Sequence, residues 1–295
     1  MSRTPRGEGR PGPQRKPASK PAAESGIAPK GARRSGRPAA PDTSAPARPV
    51  APKEPMRINR YIARSGVCSR READELIGKG QVRVNGQTID TPGLQVNPGD
   101  RVEVNGRLLS PRSALYLLLN KPADTITTTD DERGRRTVLD LIDLDQASMA
   151  GVFPVGRLDR DTTGVLLLTN DGDLAHRLMH PSFDVEKIYR VRTVDPVKPH
   201  ELDRLLEGID LEDGKARADR VTYLAPPDLH EVGLSIHEGR NRLVRRMFDA
   251  LGHQVDQLER IRYAGLTVTG VRRGHWRRLE AHEITRLYRL VKLKS

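Results

Sequence analysis

The run Gly156-Arg157-Leu158-Asp159-Arg160-Asp161-Thr162-Thr163-Gly164 interleaves two carboxylates with two arginines in a Gly- and Thr-rich stretch ahead of an apolar strand. An ionised carboxylate held near a scissile bond by cations and hydrogen-bond donors can act as a nucleophile, and Asp159 is the first candidate for that role. Spacing alone is also met by ordinary turn carboxylates at a strand entrance, since turns favour Asp, Thr and Gly. Calcium fits poorly: an EF-hand loop opening at Asp159 would put Asn170 at position twelve, where a bidentate Glu is required. Nor does the chain contain a G-x-x-x-x-G-K-S/T run to cradle phosphates.

A second concentration of cations lies near Arg240 to Leu251. There Leu243, Val244, Met247, Phe248 and Leu251 predict a helix with an apolar face ended by Gly252, and Arg242, Arg245 and Arg246 fall at i, i+3 and i+4. A solvated basic face would have the same spacing, but the preceding strand and the Glu238-Gly239 turn put these arginines at the mouth of a sheet. His176 and His180 have a spacing that could hold zinc, yet Arg177 stands where the H-E-x-x-H glutamate would be. Cys68 is the only cysteine, which excludes an internal disulfide and a multi-cysteine metal site and fits a reducing compartment.

The elements that position these residues follow from periodicity. Leu115 to Leu119 and Val165 to Leu168 read as buried strands, Asp173 to His180 as a short helix, Val191 as part of the strand after Tyr189, and Val232, Leu234 and Ile236 as a half-buried strand. This order predicts an α+β architecture, a mixed sheet with helices on its faces. Ahead of it, residues 56 to 80 predict two short helices joined at Gly66, the second opened by the capping box Ser69-Arg70-Arg71-Glu72. Two short strands follow, Val82 and Val84 running to Asn85-Gly86 and Val102 and Val104 to Asn105-Gly106, both type I′ hairpin signals. Arg57, Arg60, Arg64, Arg70 and Arg71 can form one cationic surface suited to phosphate oxygens, or a solvated face.

The 295 residues carry a net charge of +12, which points to a polyanionic partner. Residues 1–55 hold 12 Lys and Arg against 4 Asp and Glu, a net +8, with 12 of the 22 prolines and no aromatic side chain. Such a segment cannot bury enough apolar area to offset the entropy of ordering, so it is expected to be a disordered basic tail. It lacks the apolar core of a secretory signal, and its Pro and Gly oppose the amphipathic helix of a transit peptide. The longest apolar run is far short of a membrane span, so no membrane partner is expected.

Several stretches carry resemblances to known families. Met56-Arg57-Ile58-Asn59-Arg60-Tyr61-Ile62-Ala63, Ser69-Arg70-Arg71-Glu72-Ala73 and Gly80-Gln81-Val82-Arg83-Val84-Asn85-Gly86 resemble the S4 RNA-binding domain, which implies recognition of structured RNA by shape and phosphate contacts. The Asp159 run, Lys187-Ile188-Tyr189 and Glu238-Gly239-Arg240-Asn241-Arg242-Leu243-Val244-Arg245-Arg246-Met247 resemble, in that order, the RNA pseudouridine synthases that modify ribosomal RNA. Leu174-Ala175-His176-Arg177-Leu178-Met179-His180-Pro181-Ser182 looks more like the large-subunit enzymes of type B than their small-subunit relatives.

The resemblance implies an S4-like domain over 56–112 and a catalytic domain over 113–295 built on a mixed, mainly antiparallel sheet with flanking helices. It implies that a uridine flipped out of ribosomal RNA loses its N1 to C1′ bond, turns, and is rejoined through C5, with no cofactor and no metal. Asp159 matches the essential aspartate, Tyr189 the tyrosine that stacks on the uracil, and Arg245 the arginine that pairs with the aspartate. Arg157 would fill the vacated stack, and Arg240 and Arg242 would join Arg57, Arg60, Arg64, Arg70 and Arg71 in binding RNA. Leu243 departs from the glutamine frequent in the family. A monomer in the cytoplasm is expected. The competing class, a non-catalytic RNA-binding or ribosome-assembly factor, gives no reason for Asp159, Tyr189 and Arg245 to occur together.

The composition break at Pro55 and Met56 generates a prediction. Deleting residues 1–55 should leave the melting temperature unchanged while weakening RNA association at low salt, an effect that fades as salt rises because it stems from net charge. A large fall in melting temperature, or equal affinity at every salt concentration, would contradict this reading.

Overall fold

The computed structural model describes residues 54–293; the tail expected over 1–55 lies almost wholly outside them. The first module opens with a two-residue strand β1 (Met56–Arg57), followed by helices α1 (Ile58–Arg64) and α2 (Arg70–Gly78). Both halves of the capping box are present: the Ser69 hydroxyl accepts from the Glu72 amide and the Glu72 carboxylate from the Ser69 amide. Strands β2 (Val82–Val84), β3 (Gln87–Ile89), β4 (Gln95–Val96), β5 (Val102–Val104) and β6 (Arg107–Leu108) complete the module. Two strands are expected here, and the sheet has four in the order β3-β2-β5-β6, while β1 pairs with β4. The two returning strands carry almost no buried residue, so their alternation is silent in the sequence. Both expected turns form, with positive φ at Asn85, Gly86, Asn105 and Gly106. Ile58, Tyr61, Ile62, Ala73 and Ile77 close a separate small core against Val82, Val84, Val96, Val102 and Val104.

The second module contains β7 (Tyr116–Lys121), α3 (Gln146–Met149), β8 (Phe153–Pro154), β9 (Thr163–Thr169), α4 (Gly172–Met179) and β10 (Lys187–Thr193). After these come α5 (Pro199–Glu207), β11 (Arg220–Ala225), β12 (Asp228–Ile236), α6 (Leu243–Asp249), β13 (Val255–Tyr263), β14 (Trp276–Arg278) and α7 (Ala281–Leu290). One sheet of eight strands runs β11-β12-β10-β13-β9-β7-β14, with β8 added on β9. Its pairings are antiparallel except β13 with β9, which is the expected mixed, mainly antiparallel sheet.

The continuous apolar runs in β7 and β9 follow from helices on both faces. Leu117, Leu119, Leu166 and Leu168 join one core with Leu205 of α5 and Leu243, Val244, Met247 and Phe248 of α6. Leu118, Val165 and Leu167 join the other with Leu174 and Leu178 of α4 and Leu287 of α7. In β12, Val232 to Ile236 is buried at every position, Val232, Leu234 and Ile236 in the first core and Gly233 and Ser235 against Leu224 and Glu186 on the other face. That strand is therefore not half-buried, as alternation suggests, but enclosed at its C-terminal end.

The modules meet along α1. Arg60 ion-pairs with Asp173 at the start of α4, the Arg112 amide donates to the Arg64 carbonyl (3.1 Å), and a Cβ on Gly66 would stand 2.5 Å from that of Ala150. Arg60 was expected on a phosphate-binding surface; its guanidinium instead joins the two modules.

Gly164 is set by a closer approach still. It has φ +103°, and a Cβ there would lie 2.2 Å from the Arg260 carbonyl oxygen of β13, its partner in the parallel pairing. Gly164→Ala should therefore force β9 and β13 apart and cost about 2–4 kcal/mol. Gly172→Ala, at a helical position with open space around it, should be neutral or stabilising by up to about 1 kcal/mol. Melting temperatures of the two variants test the contrast, and an unaffected Gly164→Ala would show that the strands can separate at little cost.

Candidate active site

Asp159 sits on the turn between β8 and β9, and the main chain on both sides of it is fixed. Leu158 is buried, and its carbonyl accepts from the Thr127 hydroxyl (2.8 Å). On the other side the Thr162 amide donates to the Asp159 carbonyl (3.0 Å). Beneath the turn lies Lys121, the last residue of β7, with 0% of its surface exposed. Its ammonium donates to the carbonyls of Pro122, Asp159 and Arg160 (3.0 Å each) and Thr162 (2.8 Å). A lysine is tolerated at such depth only when the charge is met by acceptors, and these four carbonyls meet it. Burial pushes the ammonium down to about 8, with Asp161 and Asp159 pulling the other way.

The turn forms one wall of a cleft of about 930 Å³. Its floor is the face of the sheet carrying Lys187, Tyr189, Ile236, Leu258 and Arg260. Tyr189, 9% exposed, pairs across the sheet with Leu234 on one side and Arg260 on the other. Leu243 and Val244 of α6 form an apolar side of the cleft, so the leucine that departs from the family pattern packs as its helical face requires. Arg157 is exposed at the rim. The structure thus gathers Asp159, Tyr189, Arg157, Arg240 and Arg242 around one cleft.

Two arginines do not stand where the resemblance put them. The cation nearest the Asp159 carboxylate is Arg242, with Nη1 3.7 Å from Oδ2. Arg245 instead donates from Nη1 to the Val255 carbonyl (3.1 Å). The expected helix begins at Leu243 rather than Arg240, because Arg242 adopts a left-handed conformation with φ 46°, which turns its side chain to the aspartate. Arg245, half-buried between α6 and β13, takes the acceptor available there.

Arg240, expected at the RNA, is committed to the protein. Its guanidinium donates to Glu238, to the Asp213 carboxylate and to the carbonyls of Asp213, Gly214 and Lys215. Together with Arg246, which also binds Asp213, it clamps the loop between α5 and β11. On the first module Arg57, Arg70 and Arg71 are exposed and Arg64 is half-buried. His180 caps the turn after α4, its Nδ1 accepting from the Ser182 amide (3.3 Å).

Sequence reasoning assigned no role to Lys121, Lys187 or Arg260. Lys121 ends an apolar run, where a lysine ordinarily marks the exit to solvent. Arg260 lies two residues after Leu258, a period-two signal that places it on the inward face. The Lys187 ammonium donates to the carbonyls of Val185 (2.8 Å) and His237 (2.6 Å), and burial and then Arg260 push it down to about 8.

A neutral amine has two N–H donors for the four carbonyls that Lys121 serves, so the Asp159 turn should loosen as pH rises through about 8. The reaction rate should fall along that limb. Stability should not follow, because a folded pKa below the unfolded one means that the unfolded chain holds the extra proton between about 8 and the ordinary value of about 10.4, and stability from this group rises across that window. Lys121→Met leaves the carbonyls without donors; it should lower the melting temperature and cut the rate about a hundredfold through displacement of Asp159. Rate and melting temperature measured against pH test both, and a Lys121→Met protein as active as wild type would remove Lys121 from control of the turn.

Comparison with known proteins agrees with this geometry. A family model for RNA pseudouridylate synthase matches residues 115–250, and one for the S4 domain matches residues 56–108. The chain is 44% identical over 235 residues to ribosomal large subunit pseudouridine synthase B of Bacillus subtilis (strain 168), covering 78% of this chain and 95% of that protein. It is 36% identical over 247 residues to the dual-specificity RNA pseudouridine synthase RluF of Escherichia coli (strain K12), covering 83% and 82%. A crystal structure of a pseudouridylate synthase superposes with a TM-score of 0.56 at 31% identity, covering 79% of this chain and 99% of that one. With an aspartate on a fixed turn, a tyrosine-floored cleft and an S4 module in one chain, this protein belongs to the RNA pseudouridine synthases.

Proposed function

We propose that this enzyme acts on ribosomal RNA of the large subunit, turning one uridine into pseudouridine as a monomer in the cytoplasm and without a cofactor. The observation that carries the reading is Asp159 on its Lys121-anchored turn, facing a cleft floored by Tyr189 and large enough for a flipped nucleotide. Asp159 acts at C1′ as the N1 bond breaks. Tyr189 stacks on the uracil, and its hydroxyl serves the proton transfers that follow. Arg157, flat and exposed at the rim, enters the stack that the base has left. Arg242, not Arg245, is the cation that accompanies Asp159.

Binding is shared between the modules. Arg57, Arg70 and Arg71 are exposed on the S4 module and within reach of phosphates, Arg70 with one long bond to Asn59 (3.4 Å), whereas Arg60 and Arg240 hold the protein together. The choice of the large subunit is supported by the Bacillus subtilis relative, whose name specifies it.

Pseudouridine mapping of ribosomal RNA from cells with and without the gene tests the reading. Wild type should restore one modification in the large subunit, and Asp159→Asn should restore none while binding ribosomal RNA within a few-fold of wild type, because shape is kept and the nucleophilic charge is lost. A site that appears in small-subunit RNA would overturn the subunit assignment. Substantial turnover by Asp159→Asn would falsify the role of the aspartate.

A further inference from the structure

The floor of the cleft holds two cations with no carboxylate ion-paired to either among the described residues. Arg260 is 3% exposed, yet of its guanidinium only Nε has a protein partner, the Val165 carbonyl (2.9 Å). Its Nη2 is buried without any hydrogen bond. One face of the guanidinium lies over the Tyr263 ring, 4.5 Å from the centroid, and its backbone is held against β9 where Gly164 lets the strands meet. Lys187, whose ammonium is spoken for by two carbonyls only, stands on the same sheet face and near enough for the two charges to repel. Burying like charges side by side and leaving an N–H unsatisfied costs stability, and the cost is explained if an acceptor or a negative charge arrives with the ligand.

We propose that Arg260, supported by Lys187, is a catalytic residue that receives a carbonyl oxygen of the extruded uracil and holds the charge the base acquires when it leaves the sugar. The inference rests on the reading of Asp159 and Tyr189 given above. When the N1–C1′ bond breaks, its electron pair stays on N1 and the negative charge spreads to O2 and O4, while C1′ passes to the Asp159 carboxylate. Attack of a ring electron pair through C5 on C1′ then breaks the bond between C1′ and Asp159 and returns the carboxylate; C5 loses its proton and N1 gains one. Charge on the base is greatest between these steps. Fixed donors beside it stabilise that stage more than the starting nucleoside, which is the condition for acceleration.

The ligand is the base rather than a phosphate. Arg260 is the cross-strand neighbour of Tyr189, and the cleft around them is walled by Leu243, Val244, Leu258 and Ile236, a surface suited to a flat ring. The exposed arginines, Arg157 and Arg242, stand at the rim where solvated phosphates would run.

The test uses the full-length protein and large-subunit ribosomal RNA transcribed in vitro with uridine, 2-thiouridine or 4-thiouridine, since sulfur accepts hydrogen bonds poorly. Arg260→Gln should lower the single-turnover rate at saturating RNA by about a hundredfold or more while leaving RNA affinity within a few-fold. One of the thio substitutions should slow wild type by about tenfold and slow Arg260→Gln no further, the non-additivity that marks a direct contact. If Arg260→Gln does not fold, Arg260→Lys carries the same comparison, because a single ammonium cannot both hold Val165 and reach the base. A wild-type rate in the variant, or an equal thio penalty in both proteins, overturns the proposal. So does a loss of affinity with the saturating rate kept, which would assign Arg260 to a phosphate. A wild-type enzyme inactive on the uridine transcript, together with no change in ribosomal RNA of cells lacking the gene, would instead sink the underlying reading of function.

Discussion

The site depends on one buried ammonium. Lys121 emerges from the end of β7 beneath a turn closed on itself by the bond from the Thr162 amide to the Asp159 carbonyl, and its N–H groups are shared among four carbonyls. Neighbouring carbonyls that converge repel one another, so the turn needs a positive charge below it to keep its shape. With that charge in place the Asp159 carboxylate is presented from a fixed main chain. The arrangement also sets the electrostatics of the turn: the lysine is held charged by Asp161 and Asp159 against its own burial. The Asp159 carboxylate and its scaffold are thus parts of a single charge balance.

Around this point the cations divide by depth. Those at the surface, Arg57, Arg70, Arg71, Arg157 and Arg242, are screened by water and able to exchange solvent for phosphate at little cost. Those engaged by the protein, Arg60, Arg240 and Arg246, convert the same guanidinium chemistry into joints between elements. Among the described residues, Lys187 and Arg260 are the cations at the cleft floor that are enclosed and short of partners. A net charge of +12 conveys attraction to a polyanion, but it is this sorting by burial that separates cations open to solvent from those fixed within the fold.

Much of the architecture was legible because it rests on local rules. The Ser69 and Glu72 capping box, the Asn85-Gly86 and Asn105-Gly106 turns and the apolar runs of β7 and β9 each follow from a few adjacent residues, and each formed. The Asp159 run was legible as a turn of unusual charge. What stayed hidden depends on which neighbour is nearest in space. Nothing in the order of Arg240, Arg242 and Arg245 says that a left-handed Arg242 takes the place beside Asp159 while Arg245 turns to Val255 and Arg240 to the Asp213 loop. Lys121 was hidden for the same reason, since three of its four acceptors lie about forty residues away in sequence. The burial of β12 on both faces required knowing that β10 and β11 flank it and that Leu224 and Glu186 lie against Gly233 and Ser235.

Helix α4 carries the last link between RNA grip and chemistry. Its first turn is anchored by Asp171, whose carboxylate accepts from the Asp173 and Leu174 amides and from the hydroxyls of Tyr116 and Tyr288, and Asp173 there binds Arg60 of the S4 module. At its other end the Met179 sulfur accepts from the Gly156 amide, at the head of the Asp159 run, and Met179 and His180 line the cleft. Eight residues of helix span only about 12 Å, and a helix packed into a core along one face through Leu174, Ala175 and Leu178 does not bend over that length. The S4 module and the catalytic turn are therefore referenced to the two ends of the same rigid rod. On the function proposed above, an RNA seated on Arg57, Arg70 and Arg71 meets Asp159 at a distance fixed by the protein, so the choice of nucleotide need not come from reading its base alone.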